Sequence, residues 1–270
     1  MKKERVDVLA FNQGLFETRE KAKRAIMAGQ VYDQNNERLD KPGEKIAETT
    51  QLQIKGQGLA YVSRGGLKLE KALQEFDLSI AGKHVLDIGS STGGFTDVAL
   101  QNGAQMSYAL DVGYNQLAWK IRQDERVVVM ERTNFRYSKP EDFTKGQPDF
   151  ATIDVSFISL KLILPPLKEI ISSGGDVVAL IKPQFEAGKA FVGKKGIVKE
   201  PSTHFNVLDD ITHFALQAGF DVEAITYSPI TGGEGNIEFL AHLKAGGPLG
   251  EMNPAIDLKE VVAQAHQQLR

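Results

Sequence analysis

Two lysines and two carboxylates, scattered over the 270-residue chain, have the residue types that proton-transfer chemistry needs. Lys68 lies in "SRGGLKLEKAL", Asp154 in "IDVSFISL", Lys182 in "LIKPQFE" and Glu238 in "GNIEFL". Singly, each has an ordinary reading, since a strand-end Asp is often a helix cap and a lone Lys is usually solvated. As a set they can take a proton from a weak acid: neighbouring lysines lower each other's hold on protons, and carboxylates fix where they sit. A lysine of ordinary pKa, about 10.4, is a poor base near neutrality, and crowding or desolvation brings it into range. Lys182 is the expected base, because Pro183 would stop its strand and fix the lysine at the strand mouth.

A shared framework must bring such distant residues together. Strand-like runs at His84 to Ile88, Ser107 to Asp111, Val127 to Met130, Phe150 to Val155, Asp176 to Ile181, Val222 to Ser228 and Ile237 to Leu243 alternate with helix-like segments. The pattern predicts an α/β fold: a Rossmann-like, mostly parallel seven-stranded sheet with helices on both faces. Asp154 and Lys182 then fall at the carboxyl ends of central strands, where such sheets do chemistry. Glu238 enters the last strand. Lys68 lies in an amphipathic helix ahead of the first, with Leu67, Leu69, Ala72, Leu73 and Phe76 facing inward.

The run Asp87-Ile88-Gly89-Ser90-Ser91-Thr92-Gly93-Gly94-Phe95 follows the first strand and opens a helix, so its glycines let backbone approach a ligand. Asp87, Gly89, Ser90, Ser91, Thr92, Gly93, Gly94 and Phe95 are the expected cofactor contacts, with Asp111 after the second strand and Asn134 after the third. The spacing is neither a strict GxGxxG nor a Walker loop. Asp87 suits the ammonium of S-adenosylmethionine and would repel a pyrophosphate, and Asp111 suits ribose hydroxyls. That cofactor carries an activated methyl, so the protein must orient a nucleophile and, for one as poor as a ribose 2′-hydroxyl, remove a proton. Carbon-5 methylation commonly needs a cysteine, and there is none; amine methylation usually needs an Asn/Asp-Pro-Pro-aromatic loop, and Asp154-Val155-Ser156-Phe157 lacks both prolines. On these residues a purely structural glycine turn, a nicotinamide-dependent Rossmann enzyme and a non-catalytic RNA-binding or assembly factor remain alternatives.

Composition narrows the setting. The chain is 41% hydrophobic and 25% charged, as soluble proteins are. No apolar run approaches the roughly 20 residues that span a bilayer, and Asp7, Asn12, Gln13 and Glu17 interrupt any signal-peptide core after Met1-Lys2-Lys3, so a cytoplasmic protein with no membrane contact is expected. Absence of cysteine removes thiolate metal sites, and His84, His204, His213, His242 and His266 lack ligand-like spacing, so no metal is expected. Residues 1–64 hold 12 Lys/Arg against 9 Asp/Glu, a local +3 in a chain of net −3, which favours an N-terminal surface that meets phosphates. Within it a helix is predicted from about Thr18 to Ala28, capped by Gly29. Arg19, Lys21, Lys23 and Arg24 crowd its first turns against the dipole, as a polyanion site would, or as a solvated face beside Glu17 and Glu20. The expected organisation is a small α+β domain at 1–59, containing the flexible link Gly56-Gln57-Gly58, a linker at 60–64, the sheet domain at 65–246 and a C-terminal helix in 247–270.

The segment "RVDVLAFNQGLFETREKAKRAIMAGQVYDQNNERLDKPGEKI" resembles the S-four-like RNA-binding domain of a ribosomal protein and several RNA-modifying enzymes. Nearly the whole chain resembles the hemolysin A (TlyA) family of ribosomal RNA 2′-O-methyltransferases, related to the FtsJ heat-shock methyltransferases. The family's Lys-Asp-Lys-Glu tetrad falls on Lys68, Asp154, Lys182 and Glu238 without departure. The resemblance implies methylation of cytidine ribose in small-subunit and, in some members, large-subunit ribosomal RNA, so the partners are ribosomal RNA or ribosomal subunits, with no obligate protein partner evident. It also implies that Arg5, Lys21, Lys23, Arg24 and Lys41 hold RNA backbone; Arg19 and Arg64 join them as candidates. Phe157 would stack on an extruded base, with a core position as the alternative. The segment Leu59-Ala60-Tyr61-Val62 would couple RNA docking to cofactor binding, although it departs from the Arg-x-Trp-Val form of some members.

Overall fold

The computed structural model describes residues 3–35, 37–55 and 60–269. The chain divides into two units, Met1–Arg64 and Gly65–Arg270. In the first, β1 (Lys3–Arg5), α1 (Val6–Asn12), α2 (Arg19–Met27), β2 (Val31–Asp33), β3 (Lys45–Ala47) and β4 (Leu52–Ile54) form two short antiparallel ladders, β1 with β3 and β2 with β4. Val6, Leu9 and Ala10 of α1 meet Ala22, Ala25 and Ile26 of α2, and Val31, Leu39 and Leu52 close this small core. The predicted helix is α2: Thr18 Oγ1 accepts from Lys21 N at 3.1 Å, and the chain leaves past Ala28 through Gly29 at φ +69°.

The second unit contains α3 (Gly66–Glu75), β5 (His84–Ile88), α4 (Gly94–Gln101), β6 (Met106–Leu110), α5 (Trp119–Arg122), β7 (Val127–Met130), β8 (Phe150–Ile153), α6 (Leu164–Ile170), β9 (Asp176–Ile181), α7 (Pro183–Glu186), α8 (Pro201–Gln217), β10 (Phe220–Tyr227), β11 (Phe239–Ala245) and α9 (Leu258–Leu269). Its seven strands lie in the order β10-β11-β9-β8-β5-β6-β7. Every pairing from β9 to β7 is parallel, and β11 runs antiparallel to both neighbours. Strand residues such as Val85, Leu86, Ala151, Ile153 and Val177 to Ile181 are buried on both faces, as a helix-covered parallel sheet requires.

The last strand starts two residues later than its apolar pattern suggests. Asn236 explains this: its Oδ1 accepts from Val198 N at 3.0 Å and its Nδ2 donates to Gly196 O at 2.9 Å, which ties Asn236 to the 196–198 loop just ahead of Ile237 and Glu238. From β5 the chain runs outward through β6 and β7, then returns to place β8 on the other side of β5. Strand order therefore reverses between β5 and β8, and such reversals open a crevice at the carboxyl ends of the strands.

Candidate active site

Register sets the crevice. Ile88 pairs with Ile153, so Gly89 and Asp154 are the first residues past their strands and lie side by side, with Asp154 N donating to Ile88 O at 3.0 Å. A Cβ on Gly89, at φ +86°, would stand 2.5 Å from Asp154 O; both the space and the backbone angle call for glycine. Phe239 pairs antiparallel with Ile181, which brings Lys182 and Glu238 to the same sheet edge. Helix α3 buries Lys68 on the face that also buries Leu69, Ala72 and Leu73.

The four charged residues meet there. Lys182 Nζ lies 2.5 Å from Asp154 Oδ1, Lys68 Nζ lies 3.9 Å from Asp154 Oδ2, and Lys68 Nζ donates to Glu238 Oε2 at 2.6 Å. Lys68, Lys182 and Glu238 are buried, whereas the Asp154 side chain keeps 22% of its surface exposed. Two cations balance two anions, which a cluster this buried requires. A carboxylate stands between the lysines, so each ammonium faces Asp154 as well as the other lysine.

Beside this cluster lies a cavity of about 360 Å³, with Gly89, Ser91, Asp111 and Asn134 as polar wall, Ile88, Val112 and Phe135 as apolar wall, and Asp154 and Phe157 at its margin. Asp111 is held by Ser91 N at 2.8 Å and Gly113 N at 2.7 Å, and Asn134 Oδ1 caps the turn at Phe135–Tyr137. Several residues expected at the cofactor are not in this wall. Asp87 is 1% exposed beneath the turn, where it accepts from Thr96 N at 3.1 Å, Thr96 Oγ1 at 2.7 Å and Thr152 Oγ1 at 3.0 Å. Burial pushes its carboxyl up to about 6, against the hydrogen bonds of Thr96 and Thr152, and the Asp154 charge adds to the rise. Asp87 thus anchors α4 and is absent from the cavity wall. Ser90 is buried, Thr92 O accepts from Ala118 N at 3.0 Å, Gly93 turns at φ +96° against Leu117 and Ile121, and Gly94 and Phe95 are buried in α4.

Comparison with known proteins decides the family, for the profile of FtsJ-like methyltransferases matches residues 61–245. The chain belongs to the FtsJ-like methyltransferase family. Among its relatives is TlyA of Mycobacterium tuberculosis, named a 16S/23S rRNA (cytidine-2'-O)-methyltransferase, 41% identical over 246 residues that cover 89% of this chain and 89% of the relative. Hemolysin A of Brachyspira hyodysenteriae is 42% identical over 88% of this chain and 98% of its own length. A solved structure from Streptococcus thermophilus shares 61% identity with a TM-score of 0.79, covering 99% of this chain and 97% of that one. Whatever the hemolysin name refers to, no helix among the described residues is long and apolar enough to cross a membrane.

The FtsJ-like match contains all four charged residues and the cavity. Phe157 is not core: it is 90% exposed at φ +63°, a strained angle for an aromatic residue, and its ring lies 4.9 Å from that of Phe185. In the first unit, Arg5 and Arg19 each place Nε 2.9 Å from the fully buried Asp7; against the upward push of burial, their hydrogen bonds hold its carboxyl below the ordinary range. The structure therefore gives these two arginines, expected at RNA phosphates, an internal partner while each side chain stays partly exposed. Lys21 pairs with Glu17 and Lys23 with Glu20, while Arg24 and Lys41 are exposed with no ion pair recorded among the described residues. Arg64 is half-buried at the end of the unit. Of the coupling segment 59–62, Leu59 lies outside the described residues, as do Gly56, Gln57 and Gly58.

Three neighbours of the cluster escaped the sequence reading. Ser156 Oγ accepts from Lys182 Nζ at 3.2 Å, Gln184 Nε2 donates to Glu238 Oε1 at 2.9 Å, and Phe185 meets Phe157. Each lies within three residues of Asp154 or Lys182, so proximity in sequence was the available signal.

Proposed function

We propose that this protein transfers a methyl group from S-adenosylmethionine to a ribose 2′-hydroxyl of ribosomal RNA, at cytidine, with Lys182 as general base in a tetrad with Lys68, Asp154 and Glu238. The observation that carries this reading is the convergence of those four side chains, from four separate segments, at the margin of the cavity beside Gly89. The names of the M. tuberculosis and Campylobacter jejuni TlyA relatives, both rRNA (cytidine-2'-O)-methyltransferases, support the substrate and the atom modified.

The cavity fits S-adenosylmethionine in its chemistry: a glycine-lined turn for close approach, the Asp111 carboxylate for ribose hydroxyls, and Ile88, Val112 and Phe135 for a flat apolar ring. Bound there, the cofactor supplies a methyl already activated by its sulfonium. The protein's own work is orientation and proton removal. Asp154 and Ser156 fix Lys182 Nζ, which in its neutral form takes the hydroxyl proton, and Lys68, steadied by Glu238, offsets negative charge growing on the sugar oxygen. Phe157 and Phe185 offer an aromatic shelf to an extruded base, and the basic first unit, through Arg24 and Lys41, meets RNA phosphates. Such a substrate places the protein in the cytoplasm.

Mapping 2′-O-methyl groups in ribosomal RNA from cells with and without the protein tests this directly: at least one cytidine loses its mark in the deletion strain. Complementation with Lys182→Ala leaves that site unmethylated, with transfer of tritiated methyl reduced about 10²–10⁴-fold in vitro. An unchanged methylation map rejects the proposal.

A further inference from the structure

Glu238 is gripped from two sides, and only one grip is a charge. Its Oε2 accepts from Lys68 Nζ at 2.6 Å and its Oε1 from Gln184 Nε2 at 2.9 Å. The side chain is buried, and Gly232 makes room for it, since a Cβ on that glycine would overlap the Glu238 carboxylate. Gln184 stands two residues past Lys182 in the single turn of α7, so the backbone that presents the base also presents this amide.

The far end of the amide is informative. Gln184 Oε1 is buried with no hydrogen-bond partner among the described residues. Rotating the carboxamide by half a turn would aim its carbonyl at the carboxylate of Glu238. The fold keeps the orientation that gives Glu238 a donor and leaves a buried acceptor unsatisfied, an arrangement proteins seldom tolerate without a return. Gln184 also lines a groove of about 430 Å³ with Phe157, Phe185 and Lys189; Phe157 lines the cofactor cavity too, whose wall Gln184 does not share.

We infer that Gln184 is a positioning residue: it clamps Glu238 so that Lys68 stays against Asp154. This rests on the reading of the site as a methyl-transfer centre. A residue acting this way governs turnover and leaves cofactor affinity alone.

Two variants of the full-length protein test the inference. Gln184→Met keeps the length and removes both polar ends. Gln184→Glu replaces the amide with a group that donates to Glu238 only while protonated. The charged groups around it are Glu238 and Lys68, then Asp154 and Lys182 behind them, with Lys189 across the groove; the nearest carboxylate favours the protonated form as pH falls. For Gln184→Met, kcat on ribosomal RNA falls about tenfold or more, while KM for RNA and the calorimetric Kd for S-adenosylmethionine stay within about twofold. For Gln184→Glu, kcat relative to the parent recovers as pH is lowered from about 8.5 to about 6.5, and Tm relative to the parent rises over the same interval without any substrate. A Gln184→Met kcat within about twofold of the parent overturns the inference, as does a Gln184→Glu protein whose Tm and kcat track the parent at every pH. If the parent itself transfers no methyl to ribosomal RNA, the reading of the site fails, and the substrate-free Tm comparison still accepts or rejects the clamp.

Discussion

Asp154 is the residue on which both lysines depend: one of its oxygens faces Lys182 and the other Lys68. Asp154→Asn removes the anion between two mostly buried ammonium groups. Because Asp154 is partly exposed, the cost is expected to fall just below the about 3–5 kcal/mol of a fully buried pair, about 2–3 kcal/mol in denaturant unfolding, with methyl transfer lost as well. Lys182→Arg separates charge from chemistry. A guanidinium keeps the ion pair but cannot give up its proton, so the Tm stays close to the parent while transfer falls as far as in Lys182→Ala. Asp154, Lys182 and Glu238 were legible because strand ends can be read from apolar runs and chemistry concentrates at strand ends, whereas Lys68 sits on helix α3 and reaches them only through tertiary packing. Asp87 shows what such reading leaves open. Its type and place suited a ligand, but whether a carboxylate points into a crevice or under it is decided by partners such as Thr96 and Thr152, and no local pattern announces them.

At the scale of elements, the seven-stranded sheet was visible from periodicity, and His84–Ile88, Val127–Met130 and Asp176–Ile181 form with the bounds the pattern predicts. The reversal of β11 was not visible, since an apolar strand reads the same in either direction. The glycine turn was found, but its labour is divided: Gly89 faces the cavity, whereas Gly93 lets α4 begin tightly against Leu117 and Ile121. The anchor of α4 on Asp87 carries a pH signature. Its folded carboxyl is raised from 3.8 to about 6, so its contribution to stability is full below about pH 4 and is lost as pH climbs through about 6. Unfolding free energies of the parent and Asp87→Asn, compared between about pH 4 and pH 7, are expected to diverge by about 3 kcal/mol, the parent losing ground as pH rises. Parallel curves would mean the carboxyl is not raised.

For the molecule as a whole, the basic excess of residues 1–64 was legible in composition, but which charges remain free was not, because the buried Asp7 engages Arg5 and Arg19, and Lys21 and Lys23 pair along α2. Of the cations expected at RNA, Arg24 and Lys41 are exposed outside these ion pairs, and Lys3 and Lys45 are exposed as well. The double reversal Arg24→Glu with Lys41→Glu is expected to weaken RNA binding and flatten the slope of log affinity against log salt by about one to two, measured by filter binding across a salt series; an unchanged slope would move the RNA contact elsewhere. The two halves of the reaction also depend on different spans of chain. Every residue of the cofactor cavity falls between Ile88 and Ile163, whereas the proton-handling set reaches from Lys68 to Glu238, and β11 is the last strand to be synthesised. A polypeptide that has been made as far as Ile163 already carries every residue of the pocket wall but neither Lys182 nor Glu238. On the proposed mechanism, such a chain gains Glu238 against Lys68 only when the final strand slots between β9 and β10.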